Sequence, residues 1–207
     1  MLNKFFELPD TKGVVAPELR PSGSFISKYL AAHYQKISAV KNDLKRLPEA
    51  DEFFFLQSDN SFNAFTFIPV VLEHQNAKHL YATTYSINRQ VINALVELHT
   101  SGKVDQITLC ISDTMISRNA VTTDLLSSIN KEYPNITVIF SWVHAKVCLI
   151  ETNDAHYVIE GSGNWSENAY YEQYTFANSK GLFDFRMKLI TEVQVRHKIV
   201  KGEIIKL

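Results

Sequence analysis

The sequence has little of several features that would narrow its function. Cysteine occurs only twice among 207 residues, as Cys110 and Cys148, without a CxxC pair or a Cys/His spacing typical of a metal site. Both lie in apolar runs that indicate buried strands, so we expect reduced thiols and a cytoplasmic protein. Neither sign of charge dominates, since 21 Lys and Arg stand against 22 Asp and Glu. An anionic ligand would therefore need a local positive site rather than a generally basic surface.

Long apolar runs are also missing. No stretch approaches the roughly 18 apolar residues that cross a bilayer, so we expect no membrane partner. The first residues, MLNKFFELPDTKG, carry charges and a proline before any apolar run, which argues against a signal peptide. A chain of this length can build one well-buried domain, but two full domains are not expected.

The first part of the chain is predicted to be an arm followed by a helix. Three prolines and a glycine make residues 1–21 an irregular arm. Ser22 or Ser24 can cap a helix that runs to about Leu47, because apolar residues recur at near-helical spacing and Pro48 would end it. The other face of this helix would carry five basic residues, which are Lys28, Lys36, Lys41, Lys45 and Arg46.

The rest of the chain alternates between strand-like and helix-like runs. Strands are predicted at 52–58, 79–86, 106–112, 136–142, 146–152, 156–162 and 174–177. Helices are predicted at about 62–75, 88–101, 116–133, 165–171 and 182–195. Asn88 is expected to cap the second helix and Gly102 to end it. The alternation favours a largely parallel α/β sheet buried on both faces, so we predict an arm and helix (1–50) packed on one domain (51–207).

The candidate site is a dense group of polar residues in the last third of the chain. His144 and Lys146 stand two residues apart at the start of a predicted strand, so their side chains point to one face. The turn at residues 161–164, Gly-Ser-Gly-Asn, can be brought beside His144 by the adjacent hairpin strand. Its two glycines would allow a close backbone approach to a ligand.

These residue types suit a phosphate group. Lys146 supplies positive charge, Asn164 supplies an amide donor, and His144 supplies an imidazole nucleophile. Glu172 lies eight residues after Asn164. It can accept a hydrogen bond from His144, which would fix the tautomer and expose the other ring nitrogen.

The pattern HxK followed by GSxN resembles the signature of the phospholipase D superfamily, in its branch of small single-motif nucleases. The resemblance implies an α/β/α sandwich and a metal-free and cofactor-free reaction. In it one histidine forms a phosphohistidine, and a second protonates the leaving oxygen and activates water. Carried over by position, His144 is catalytic, Lys146 and Asn164 bind the phosphate, Ser162 supports the pocket, and Glu172 orients the histidine.

Two neighbours of the motif are predicted to contact the substrate, and one position departs from the family. Gly163 would do so through its backbone. Trp165 could do so by stacking on a base, although packing over the pocket is the favoured interpretation for Trp165. The family usually has Asp where this chain has Glu151. That Asp is mainly structural, so the change weakens the resemblance without removing chemistry.

Three functions remain open at this stage. The first is a nuclease that cleaves DNA or RNA. The second is a catalytically inactive relative that binds nucleic acid or serves as a scaffold. The third, cleavage of phospholipids, ranks last because no basic amphipathic segment indicates docking to lipid. The preference for a nuclease rests on analogy within the family rather than on derivation.

The mechanism needs two histidines on opposite sides of phosphorus, and the chain offers one HxK. None of the other six histidines has a lysine two residues later. We therefore predict a two-fold homodimer whose composite site takes His144, Lys146 and Asn164 from both copies. The segment from Trp165 to Tyr171 is the expected contact near the axis.

Overall fold

The computed structural model describes residues 31–166, 168 and 170–207, and the backbone of residues 22–26. The predicted arm of residues 1–21 lies outside these residues. The strands are β1 Ser22–Ile26, β2 Ala31–Ile37, β3 Glu52–Ser58, β4 Ala77–Thr84, β5 Val104–Ser112, β6 Ile136–Ser141, β7 Val147–Glu151, β8 His156–Gly161, β9 Gln173–Asn178, β10 Val195–Val200 and β11 Glu203–Lys206. The helices are α1 Val40–Asp43, α2 Phe67–Leu72, α3 Arg89–Thr100, α4 Thr114–Arg118, α5 Ala120–Glu132 and α6 Lys180–Thr191.

The strands form one mixed sheet in the order β1-β2-β3-β9-β8-β7-β4-β5-β6-β10-β11. The pairs β2–β3, β4–β5 and β5–β6 are parallel. The other seven neighbouring pairs are antiparallel, so the sheet is less parallel than the strand–helix alternation predicts. The reason is that hairpins and return connections place β7, β8 and β9 between the two parallel groups.

Helices cover both faces of the sheet, which confirms the predicted α/β/α class. Alternate residues of β7 enter different cores, as the period of a strand requires. Cys148 and Ile150 belong to the large core, which includes residues of α2, α3 and α5. Val147 and Leu149 belong to a smaller core under α6.

The predicted helix from Ser22 or Ser24 to Leu47 is wrong. Its place is taken by the hairpin of β1 and β2 and by the single helical turn α1. Seven residues of β2 pair in parallel with β3, and this long-range pairing overrides a local spacing that also fits a helix. The division at residue 50 stays a prediction, although β2 and β3 lie on either side of it and share one sheet.

The later elements follow the prediction with two further exceptions. Asn88 caps α3 by accepting a hydrogen bond from the Val91 N–H, and Gly102 follows this helix with a positive φ of 72°. The described residues of 165–171 are not helical, because Trp165 joins Ile87 in a β-bridge. The helix predicted to reach residue 195 ends at Thr191, and the chain returns as β10 and β11.

Candidate active site

The carboxyl end of β4 supports both halves of the motif. The N–H of Val147 donates to Thr83 Oγ1 at 3.2 Å. The N–H of Trp165 donates to the Ser86 carbonyl at 3.1 Å and lies 3.3 Å from Thr84 Oγ1. These bonds hold the start of β7 and the turn after β8 against one strand end, so the two parts of the motif lie side by side.

His144 and Lys146 contact each other directly. His144 lies exposed in the loop between β6 and β7, and Lys146 immediately precedes β7. The ammonium of Lys146 is 3.0 Å from His144 Nδ1 and donates to the His144 carbonyl, also at 3.0 Å. The same ammonium is 3.4 Å from His144 Nε2, so it lies against the imidazole ring and not on one nitrogen alone. The contact places a positive charge directly beside the imidazole.

Three neighbours set the environment of this pair. The ring of Tyr85 lies with its centroid 5.0 Å from that of His144, and Arg118 donates to the Tyr85 hydroxyl at 2.7 Å. Partial burial lowers the pKa of Lys146, while Glu172 and Tyr85 act in the opposite direction. The region around His144 thus carries two cations, Lys146 and Arg118.

The two glycines of the turn serve the packing of β9. The Gly161 N–H donates to the Lys146 carbonyl at 3.2 Å, and a Cβ on Gly161 would lie 2.1 Å from the Gln173 carbonyl oxygen. A Cβ on Gly163 would lie 2.2 Å from the Tyr174 hydroxyl. The two glycines therefore permit a close approach of the turn to β9, which is a reason that the sequence did not reveal. A substrate contact of the Gly163 main chain stays a prediction.

Asn164 is held by its backbone and keeps its side chain unpaired. Its N–H donates to Asn168 Oδ1, and its carbonyl accepts from Asn168 Nδ2, both at 2.8 Å. Its own Oδ1 is buried and has no partner among the described residues. A flip of the amide would exchange the oxygen and the NH₂ group, and the binding of a phosphate by this side chain stays a prediction.

Glu172 bonds to Ser162 rather than to the histidine. Ser162 Oγ donates to Glu172 Oε2 and accepts from the Gln173 N–H at 3.1 Å. No hydrogen bond between Glu172 and His144 is present in the described part of the chain. The predicted orienting bond is therefore absent from this structure, and the carboxylate instead orders Ser162 and acts electrostatically on Lys146.

The predicted stacking of Trp165 on a base is wrong. Its side chain is 1% exposed, and its ring meets Phe65 edge-on at 5.9 Å in the main core. The bridge to Ile87 turns the side chain inward, where it packs beneath the turn. Sequence reasoning also missed Tyr85 and Arg118. Their only signal is that Tyr85 is near the end of the predicted strand 79–86 and that Arg118 is near the start of the predicted helix 116–133.

Glu151 lies at the far end of β7 from the candidate site. It follows Val147 by four residues, which corresponds to about 13 Å along a strand. Its Cα pairs with those of His79 and His156. Because Glu151 lies this far from His144, its presence in place of the family's Asp removes no chemistry there.

The described residues contain neither a metal-binding cluster nor a helix that could cross a membrane. Within residues 31–166, 168 and 170–207, no three His, Cys, Asp or Glu side chains form a group that could hold a metal ion. In the same part of the chain, no helix is long and apolar enough to span a membrane.

Comparison with known proteins finds similarity in structure but not in sequence. No protein-family model and no curated protein sequence matches this chain. Polyphosphate kinase from Porphyromonas gingivalis matches with a TM-score of 0.53 and 11% identity over 68% of this chain. Phosphatidylserine synthase from Haemophilus influenzae Rd KW20 matches at 0.47, with 17% identity over 74% of the chain. The archaeal chromatin protein TrmBL2 also matches at 0.47, with 8% identity over 73%.

These matches cover part of much longer proteins. This chain spans 26% of the kinase, 40% of the synthase and 53% of TrmBL2. The kinase, whose TM-score exceeds one half, belongs to the phospholipase D superfamily. The likeness concerns the fold, and the fold that the HxK and GSxN motifs imply is thus confirmed: the chain has a phospholipase D-like fold.

Proposed function

We propose that this protein is a metal-independent phosphodiesterase, most simply a nuclease acting on DNA or RNA. The observation that carries the proposal is the contact between Lys146 and His144 beside the Gly-Ser-Gly-Asn turn. The contact supplies a nucleophile and a cation on an exposed loop. The adjoining turn would supply the amide of Asn164, whose Oδ1 has no partner among the described residues. A phosphodiester needs all three, for attack, charge neutralisation and orientation.

The reaction would proceed by two displacements at phosphorus. In the first, a ring nitrogen of His144 forms a bond to phosphorus, and the bond to the leaving oxygen breaks. The leaving oxygen takes a proton from an opposing imidazolium. In the second, that imidazole removes a proton from water, the water oxygen bonds to phosphorus, and the phosphohistidine bond breaks. Lys146 and Asn164 hold the non-bridging oxygens throughout.

The opposing imidazole would come from a second copy of the chain. Among the described residues, no other histidine ring contacts His144. A two-fold dimer supplies the same residue from the other side and makes one sequence play both roles. Tyr170 and Tyr171, which are 60% and 73% exposed, provide aromatic surface for such a contact. Trp165 is buried and does not take part in this contact.

The dimer is tested by its mass in solution. Sedimentation or light scattering at micromolar protein should give twice the mass of one chain. A strict monomer that cleaves phosphodiesters would overturn the composite site.

The activity is tested on fluorescent single-stranded and double-stranded DNA and RNA in excess EDTA. Cleavage should persist with the chelator, and His144→Ala should abolish it without changing the unfolding temperature. The matched control is His74→Ala, because His74 is an exposed histidine at the end of α2. Cleavage that vanishes with chelator and returns with Mg²⁺ or Mn²⁺ would exclude the phosphohistidine route.

One observation favours a second candidate, a phospholipase D-like protein that binds nucleic acid without cleaving it or serves as a scaffold. Glu172 is engaged with Ser162, so no carboxylate of the described residues fixes the His144 ring. This candidate predicts a protein that binds oligonucleotide and leaves it intact at every pH. A strict monomer without turnover would also favour it.

A further inference from the structure

An open groove lies on the sheet face that carries α6. This helix packs on β4, β7 and β8, and no described helix packs on the same face of β2, β3 and β9. The groove has a volume of about 690 Å³, and its walls are those three strands, the start of β7 and the side of α6. Apart from Lys146, its lining residues take no part in the reaction proposed above.

Two aromatic side chains form the floor of the groove farthest from the active site. Tyr34 of β2 and Phe55 of β3 are Cα partners in a parallel pair, so both rings stand on the same face. They are 52% and 44% exposed. Phe53 stacks against Phe55 at 6.4 Å and supports it from the side. Exposed rings on neighbouring strands are the arrangement on which unpaired bases stack in single-strand binding sheets.

The polar residues of the groove suit a polyanion. Three basic side chains line it, Lys36, Lys146 and Arg186, against one acidic side chain, Glu160. The whole chain, in contrast, has one more acidic residue than basic ones. Arg186 already pairs with Glu160, and Lys36 lies 3.5 Å from Asp59. The ammonium of Lys146 contacts only groups of His144 in the described structure, so it is available to a phosphate.

Lys146 joins the groove to the candidate active site. It lines the groove and touches His144. From Tyr34 to the start of β7 the path crosses β3, β9 and β8, which makes four strand spacings of about 4.8 Å, or about 19 Å. A chain of nucleotides bound at the aromatic pair would thus bring a later phosphate to His144.

We propose that this groove binds single-stranded nucleic acid, with bases on Tyr34 and Phe55 and the backbone directed to Lys146. A duplex is a poorer occupant, because its base faces are stacked on each other and cannot lie on the rings. The direction in which the bound nucleic acid runs, toward Lys146, rests on the proposed function. The proposal extends that function by assigning the substrate form and the residues that select it.

The test measures binding in a His144→Ala background, so that no cleavage disturbs the equilibrium. A fluorescein-labelled oligothymidylate and a duplex of the same length are titrated with full-length protein, with anisotropy as the readout. The oligothymidylate should bind more tightly than the duplex. Tyr34→Ala and Phe55→Ala should each weaken its binding about fivefold or more. Tyr34→Phe and Phe55→Tyr keep the rings and should bind like the parent.

The outcomes separate this inference from the proposed function. Unchanged binding in both alanine variants, with unfolding temperatures intact, would overturn the groove assignment even if the wild-type protein cleaves DNA or RNA. Aromatic-dependent binding without any cleavage by the wild-type protein would keep the groove and refute the nuclease. Equal affinity for the duplex, or binding of anionic phospholipid vesicles in place of the oligonucleotide, would also overturn it.

Discussion

Two charged clusters of this protein differ in how completely their groups are paired. Glu52, at the start of β3, is 5% exposed and accepts from Arg46 at 2.5 and 2.7 Å. It also contacts His33 at 2.6 Å and accepts from the Glu49 N–H at 2.8 Å. These bonds, with that to Arg46 foremost, lower the pKa of Glu52 to about 2. Both carboxylate oxygens of Glu52 are therefore fully occupied by hydrogen bonds within the fold.

The cluster around His144 is incomplete by comparison. His144 is exposed, its pair with Lys146 involves no carboxylate, and Asn164 Oδ1 has no partner in the described structure. A saturated cluster stabilises the fold, whereas an unsaturated one keeps donors ready for a ligand. The contrast predicts that mutations in the two clusters affect different measurements.

The largest effect is expected at Lys146. Lys146→Met keeps most of the side-chain volume but removes the positive charge beside His144. The rate of phosphodiester cleavage should fall about a hundredfold to a thousandfold, which is typical for the loss of one charge-stabilising donor. The free energy of unfolding, measured in urea, should stay within about 0.5 kcal/mol of the wild-type value. A large loss of stability would show instead that Lys146 mainly stabilises the fold.

Glu52→Gln should show the reverse pattern. The variant loses a carboxylate whose pKa lies about 2.5 units below the ordinary value of 4.5, which corresponds to roughly 3 kcal/mol of stability. Cleavage per folded molecule should be unchanged. The matched control is Glu73→Gln, since Glu73 forms a solvent-exposed pair with Lys41 and its loss should not be measurable. Equal destabilisation in both variants would remove the distinction between saturated and surface pairs.

Glu52 should also account for most of the loss in the free energy of unfolding at acidic pH. Because the pKa of Glu52 is lowered on folding, its contribution is complete above about pH 4.5 and disappears as the pH falls toward 2. Urea unfolding between these pH values should show a steeper loss of stability in the wild-type protein than in Glu52→Gln. Parallel curves for the two proteins would contradict the pairing.

The smallest effect is expected at Tyr85. Tyr85→Phe keeps the ring against His144 and removes the hydrogen bond from Arg118. The catalytic rate should fall only a few-fold, because the loss concerns one exposed hydrogen bond. Tyr85→Ala, which also removes the ring contact, should lower the rate further. If Phe and Ala behave alike, the ring does not position the histidine.

The strands that carry the motif could be predicted because each is a short apolar run between turn residues. The runs at β3 to β9 stand out by their branched and aromatic residues, and Asn88 and Gly102 mark the ends of α3 by their own chemistry. These are local features, which a single sequence displays. His144 and Lys146 are in contact as expected, although both lie before β7, so the period of a strand does not explain their placement.

The errors concern residues whose state depends on distant partners. The spacing from Phe25 to Val40 fits a helix, and only the pairing of β2 with β3 selects a strand. The alternation in β10 is weak, because His197 interrupts its inner side and Val200 stands on its exposed side. The burial of Trp165 and the bond of Glu172 to Ser162 depend on β4 and β9, far away in sequence. Local pattern does not report such contacts.

Both native thiols are buried, so a cysteine introduced at the surface of this protein can be labelled selectively. Cys110 and Cys148 are 0% and 2% exposed, and burial raises the pKa of Cys110 to about 11 and that of Cys148 further. Neither should react with maleimide at neutral pH, because the thiolate is the reacting form. A cysteine introduced by Val121→Cys, at a 75% exposed position of α5, would then carry the only dye on each chain. Energy transfer between two such dyes would measure how two protomers face each other.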